Sequence, residues 1–337
     1  MRIGIVGIGA MGCLFAARLT AVADVIMVGH WTEQIETLRS KGLIYIGPDG
    51  QRRQITVRIT DRPMRVEPVP VALILVKSYQ TESAVETTSN ILQGNGIAVT
   101  LQNGLGNLET IAAALGPERA VPGATTEGAT LLRPGVVRHA GTGATYLGSP
   151  QAVNQELVRD TATLFNRAGF QTEVSEAVES VLWRKLIVNA AINPLTAILD
   201  VPNGFLAEDG AARRLMNAAA QEVALVARAQ GIIIGDDDPG TLALDVARRT
   251  AQNSSSMRQD ISGGRPTEIE AISGSVVRLG QACDIDTPLT RMLLQLVRLR
   301  QQGTGRQGLL EILDQKDTTP KIALLRRLLQ EVPDGSL

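Results

Sequence analysis

Aromatic side chains are scarce: the 337-residue chain holds 4 Phe, 3 Tyr and 2 Trp, about 3% of its residues. So few flat faces argue against a nucleic-acid or glycan reader built on stacking platforms. Cysteine is nearly absent too. Cys13 and Cys283 cannot make a disulfide framework and fit a reducing compartment. No charge of one sign dominates, since 33 Lys+Arg meet 34 Asp+Glu for a formal net charge of -1. That balance offers no field for gripping nucleic acid or an acidic membrane. Long hydrophobic runs are also missing. Residues Ile3 to Ala17 are uncharged and mostly apolar, superficially like a secretory signal behind Arg2, but too short to span a bilayer. Four glycines interrupt them, so they read as a buried strand and glycine turn, and the chain reads as cytoplasmic. No internal repeat or low-complexity tract is visible.

The chain is long enough for two domains, each with its own core. In the amino-terminal half strand-like and helix-like segments alternate. Strands are expected at 2–6, 24–28, 71–76 and 96–101, and helices at 13–20, 32–40 (with Thr32 as its cap) and 81–92. Such alternation predicts βαβ units and a parallel sheet, closed by a β-rich stretch over 136–148. From about Glu176 the grammar changes to long Ala- and Leu-rich segments with a period near 3.6. Helices are expected at 180–199, 211–230, 241–253, 267–280 and 290–301, with a charged helix-forming tail over 309–331. The expectation is an α/β protein with an amino-terminal Rossmann domain, residues 1–175, and an all-helical carboxy-terminal domain, residues 176–337.

Gly7-Ile8-Gly9-Ala10-Met11-Gly12 follows a strand and opens a helix, the context that a GxGxxG dinucleotide site requires. Gly7 permits the tight turn, Gly9 lets backbone approach a pyrophosphate, and Gly12 permits close helix–strand packing. The free N–H groups and positive end of the helix then face the phosphates. An NAD site usually ends its second strand in Asp or Glu for the ribose 2′-hydroxyl. Here the strand ends Val28-Gly29-His30-Trp31, with no acid before Glu33 and no Arg. NADPH is the expected cofactor, with NADH as the alternative, and His30 or Trp31 is placed to stack on the adenine.

Lys185, Asn189 and Asn193 are spaced i, i+4, i+8 within LWRKLIVNAAINPLTA, so they share one face of a helix whose other residues are almost wholly apolar. Burying an ammonium is costly and lowers its pKa, which tunes the amine to deliver a proton near neutral pH. Two amides beside it can bind a carboxylate or hydroxyl without adding charge.

At these residues the chain resembles the ketopantoate reductase (2-dehydropantoate 2-reductase) family. The resemblance rests on LWRKL-VN--INPLTAI with a following PNG, VKSYQT around Lys77, QNGLGN around Asn103, Asn253-Ser254-Ser255-Ser256-Met257, and Pro266-Thr267-Glu268. It runs from residue 1 to about 300. It implies a Rossmann domain joined to a 6-phosphogluconate-dehydrogenase-like helical domain, with the active site in the cleft between them. It further implies hydride transfer from NADPH to the 2-keto carbon of ketopantoate, in pantothenate biosynthesis. Lys185 then matches the proton donor, and Glu268 the acidic residue that orients it and meets the nicotinamide ribose. Asn189, Asn193, Asn203 and Asn253–Ser256 match substrate-binding positions. Lys77, Asn103 and Ala129 match cofactor contacts, with Asn103 also bordering the substrate. The family often has an Arg after the second strand, where this chain has His30 and Trp31. An NADH-dependent dehydrogenase acting on another bulky 2-keto acid is therefore the alternative. A regulator that binds nucleotide without turnover is disfavoured, since it has no use for Lys185. The tail is expected to lengthen a homodimer contact or to cover the helical domain. Asp236-Asp237-Asp238 reads as a loop and helix cap rather than a metal site, His139 as structural, and Cys13 as a small packing residue.

Overall fold

The computed structural model describes residues 1–148, 155–316 and 320–331. The chain divides into two compact units, Met1–Val178 and Glu179–Leu337.

The first unit runs β1 (Arg2–Val6), α1 (Ala10–Leu19), β2 (Asp24–Val28), α2 (Thr32–Lys41), β3 (Leu43–Ile46), β4 (Arg52–Ile55), β5 (Arg58–Thr60), β6 (Val69–Ile74) and α3 (Thr81–Ile91). It continues through β7 (Leu92–Thr100), α4 (Asn107–Leu115), β8 (Ala120–Thr125), β9 (Gly128–Arg133), β10 (Val136–Gly141), β11 (Ala144–Gly148), α5 (Gln155–Arg167) and β12 (Gln171–Ser175). The larger sheet has the order β12-β11-β8-β7-β6-β1-β2-β5. From β8 to β5 neighbouring strands pair in parallel. A smaller sheet has the order β4-β3-β10-β9. Strand side chains alternate between faces, so each parallel strand feeds two cores. Ile3, Ile5, Val71 and Leu73 pack with α1 and α5, while Val6, Ala72 and Ile74 pack with α3 and α4. Four of the scarce aromatics, Phe15, Tyr45, Phe165 and Phe170, lie in the first core. Phe15 stacks on Phe170 at 4.3 Å between ring centroids and meets Phe165 edge-on at 5.4 Å.

Several boundaries depart from the sequence expectation. α1 begins at Ala10, directly on the glycine turn, rather than at Cys13. Thr32 is not a cap: α2 is preceded by Trp31, and no side chain caps it. The stretch 136–148 does not close the unit, because α5 and β12 follow and β12 extends the sheet beside β11. The short strands β3 to β5 alternate too weakly in polarity to stand out in the sequence.

The second unit is helical: α6 (Val178–Leu199), α7 (Phe205–Glu208), α8 (Gly210–Ala229), α9 (Pro239–Arg249), α10 (Ser256–Ser262), α11 (Ser275–Ala282), α12 (Pro288–Gln301), α13 (Arg306–Lys316) and α14 (Pro320–Glu331). The helix expected over 267–280 is two pieces, a π-helical turn at Glu270–Gly274 leading into α11. Asp238 caps α9, accepting from the Thr241 N–H at 2.7 Å, and Asp237 pairs with Arg184 at 2.6 Å. The tail covers its own unit. Ile322, Leu325, Leu328 and Leu329 of α14 are buried, and α14 packs on α8.

Glu222 of α8 is 4% exposed and ties three helices together. Its carboxylate accepts from the N–H groups of Leu289 and Thr290 and from Thr290 Oγ1 at the start of α12, and from Lys321 Nζ of α14 at 3.0 Å. Glu222→Ala would strand buried donors that water cannot reach. It should lower stability by about 2–4 kcal/mol in denaturant unfolding. A loss under about 0.5 kcal/mol would show that the capping contacts contribute little.

Candidate active site

The glycine turn is built as a phosphate cradle. Gly7 adopts φ +116, and a Cβ there would lie 2.7 Å from the Leu75 carbonyl carbon. At Gly12 a Cβ would lie 1.9 Å from the Gly7 carbonyl oxygen, so helix and turn touch backbone to backbone. At Gly9 a Cβ would meet nothing within 4 Å. That open side, with no side chain capping α1 and no acid in its first turn, leaves the N–H groups at Ala10, Met11 and Gly12 able to receive a pyrophosphate. The turn therefore fits a dinucleotide.

Gln34 holds this turn from behind. Its Nε2 donates to the Ile8 carbonyl at 3.0 Å, and its Oε1 accepts from the Gly135 N–H at 2.8 Å. Nε2 also lies 3.1 Å from Cys13 Sγ. Burial pushes the Cys13 thiol up to about 12, so it packs and does not react.

Parallel pairing brings the carboxyl ends of β7, β6, β1 and β2 to one edge, the place where open α/β sheets bind ligands. Asn103, Lys77, Gly7 and His30 follow those strands in that order. His30 and Trp31 are exposed. A buried network supports the Lys77 and Asn103 loops. Gln102 Nε2 donates to the Val76 carbonyl at 3.1 Å and to Thr81 Oγ1 at 2.9 Å. Thr81 Oγ1 donates to Asn107 Oδ1 at 2.8 Å, and Asn107 Nδ2 to the Asn103 carbonyl at 3.0 Å. Thr81 and Asn107 close the VKSYQT and QNGLGN motifs, whereas Gln34 lies outside every motif because its partners Ile8 and Gly135 are far from it along the chain. Ala129 stands apart from this row. It lies on β9 of the smaller sheet, paired with His139 and partly buried against the core that α1 helps to build. His139 is fully enclosed, with Nε2 at 2.5 Å from Glu127 Oε2 and Nδ1 at 3.0 Å from the Tyr45 hydroxyl.

In the second unit α6 carries Lys185, Asn189 and Asn193, with Asn193 buried and the other two half-buried. Apolar residues surround this face, and most of those between Leu186 and Leu199 are buried. Pro194 removes one N–H from the helix ladder immediately after Asn193. Burial draws the Lys185 ammonium down to about 8, against an opposing pull from the Glu268 carboxylate. Glu268 itself is 5% exposed and lies just before the π-helical turn. It enters the site from a loop rather than from the first turn of an α-helix.

Directly after α6, Asp200 takes a left-handed φ of 57 and receives Arg258 at 2.7 Å. The chain then turns back so that the Asn203 N–H donates to the Asn253 carbonyl at 3.1 Å. Asn203 Nδ2 donates to Thr250 Oγ1 at 2.9 Å, while its buried Oδ1 has no donor among the described residues. Such an orphan acceptor in a polar loop suits a ligand hydroxyl. Ser255 serves the fold. Its buried Oγ accepts from the Arg258 N–H, capping α10, and from Thr196 Oγ1 of α6 at 2.7 Å. Asn253 and Ser256 are exposed and Ser254 half-buried. The structure thus gathers Lys185, Asn189, Asn193, Asn203, Asn253 and Glu268 on elements of one helical unit. Among the described residues no group of three or more His, Cys, Asp or Glu could hold a metal, and no helix is long and apolar enough to cross a membrane.

Comparison with known proteins places the chain among relatives along most of its length. Residues 3–152 match the family model described as ketopantoate reductase PanE/ApbA, and residues 177–301 match its carboxy-terminal counterpart. A 2-dehydropantoate 2-reductase of Halobacterium salinarum is 37% identical over 303 residues, covering 90% of this chain and 99% of the relative. One from Pyrococcus horikoshii is 34% identical over 306 residues, covering 90% and 99%. Among solved structures, 2-dehydropantoate 2-reductase from Geobacter metallireducens has a TM-score of 0.84 at 27% identity, over 90% of this chain and 100% of that one. D-mandelate dehydrogenase with NADH and anilino(oxo)acetate also has a TM-score of 0.84, at 25% identity over 90% and 99%. The family models end at residue 301, before α13 and α14.

Proposed function

The chain belongs to the ketopantoate reductase family of NAD(P)H-dependent oxidoreductases, and from that premise we propose that it reduces ketopantoate to pantoate with NADPH, in the cytoplasm. The observation that carries this reading is Lys185, an amine with a pKa near 8 on a helix face shared with Asn189 and Asn193 and opposed by Glu268. When bound, the reduced nicotinamide supplies hydride to the 2-keto carbon. The turn Gly7–Gly12 would hold the pyrophosphate, His30 and Trp31 the adenosine end, and Lys77, Asn103 and Ala129 the remainder.

As the keto carbon is reduced, negative charge gathers on its oxygen. The Lys185 ammonium stabilises that charge and then donates its proton to the oxygen. Glu268 keeps Lys185 charged and oriented against the burial that favours the neutral amine. Asn189, Asn193, Asn253, Ser254 and Ser256 are the donors for the substrate carboxylate, and the orphan Asn203 Oδ1 accepts from its hydroxyl. Ser255 supports this wall as a cap.

The test follows nicotinamide absorbance with ketopantoate, using NADPH and NADH in parallel. Fast oxidation of NADPH is expected. A second reading, an NADH-dependent dehydrogenase for another bulky 2-keto acid, is favoured by the absence of an Arg directly after β2 and by the similarity to D-mandelate dehydrogenase with NADH. Oxidation of NADH alone, with a keto acid other than ketopantoate, would replace the first reading with the second.

A further inference from the structure

The carboxyl edge of the sheet does not end at His30. β5 lies beside β2 in the register Val28↔Thr60, and the Gly29 N–H donates to the Thr60 carbonyl at 3.2 Å. On the other side, the Gly7 N–H donates to the Val28 carbonyl at 3.0 Å. Phosphate turn, end of β2 and end of β5 are therefore consecutive along one edge, each step about 4.8 Å. A dinucleotide seated on α1 lays its adenosine ribose past the end of β2. The residues that follow β5 would then be the next along the edge from that ribose.

Those residues are Asp61 and Arg62. The Arg62 N–H donates to Thr60 Oγ1 at 3.0 Å, which fixes the bend leaving β5. The Arg62 side chain is exposed and makes no ion pair among the described residues. Asp61 is already satisfied: Arg39 of α2 binds its carboxylate at 3.0 Å, and that bond holds it below the usual carboxylate range. Glu33 sits in the first turn of α2, where the helix's positive end offsets its charge. Arg62 thus offers this edge an exposed guanidinium outside any ion pair among the described residues, its charge felt by the neighbouring Asp61, and it comes from a neighbouring strand rather than from the residues after β2.

We infer that Arg62 is the contact for an adenosine 2′-phosphate and so selects NADPH over NADH. A planar guanidinium fork suits a phosphate dianion, and an exposed Arg costs nothing to hold ready. The proposal rests on reading Gly7–Gly12 as a dinucleotide site, but on no assumption about the keto acid.

The test is calorimetric binding of 2′,5′-ADP and 5′-AMP to the full chain, which reads the adenosine end without turnover. Wild type should bind 2′,5′-ADP more tightly than 5′-AMP. Arg62→Ala should weaken 2′,5′-ADP by about 10- to 100-fold, the factor carried by a charge-assisted hydrogen bond, and 5′-AMP by less than about twofold. Arg62→Lys should recover part of the loss through its point charge. Equal affinity for the two fragments in wild type, an unchanged 2′,5′-ADP affinity in Arg62→Ala, or equal losses for both would overturn the assignment. Failure of both fragments to bind wild type would overturn the dinucleotide reading with it. Turnover of some other keto acid would instead sink only the substrate assignment.

Discussion

Lys185→Ala is expected to lower kcat by about 10³-fold while cofactor affinity stays within about twofold, because general acid catalysis by a positioned group contributes roughly 10²–10⁴. The lysine lies on α6 of the helical unit, whereas the glycine turn that fits the dinucleotide belongs to the other unit, so the substitution leaves the phosphate cradle intact. Stopped-flow turnover beside fluorescence titration of NADPH separates the two quantities. Parallel losses in both would show that Lys185 holds the cofactor or the fold rather than the reacting oxygen. The pH profile gives an independent sign. A proton donor works while protonated, and Lys185 is protonated below about pH 8. Reduction should therefore hold level on the acid side of about 8 and fall tenfold per unit above it, and the oxidative direction should mirror this. In Lys185→Ala the alkaline fall should vanish along with most of the rate.

Much of this chemistry is legible in the sequence because it is local. Lys185, Asn189 and Asn193 align by helical spacing alone, and Gly7, Gly9 and Gly12 act within one turn of chain. What supports them is not local. Gln34 steadies the glycine turn through a bond to Gly135, 101 residues away, and no spacing rule announces such a pair. β5 is three residues long with one of them buried, too short for its polarity pattern to mark a strand, yet it brings Asp61 and Arg62 to the edge beside His30. Thr32 illustrates the opposite error. A threonine ahead of a helical run looks like a cap, but the helix has already begun there. The helix expected over 267–280 failed for a related reason. The apolar period is continuous across a π-helical turn that changes the backbone without changing the pattern, and Glu268 enters beside that turn.

Glu268 is the second residue on which the rate should depend steeply. Its carboxylate raises the Lys185 pKa while burial lowers it, and about 8 is the resultant. Glu268→Gln keeps the volume and removes the charge, so burial acts unopposed and the lysine should titrate below 8. The alkaline fall in the reductive rate should then move to lower pH, leaving less of the enzyme charged at neutrality. Lost orientation adds to this, and kcat at pH 7 should drop by about 10²-fold. The direction of the pH shift is what distinguishes the assignment. A merely structural glutamate would lower the rate at every pH with the midpoint unmoved. A shift to higher pH would contradict the electrostatic role outright, since removing a negative charge cannot make a neighbouring ammonium harder to deprotonate. Glu268→Asp supplies the remaining arm: with its charge retained on a shorter side chain, it should hold the midpoint nearer 8 than Glu268→Gln does, even where the rate falls.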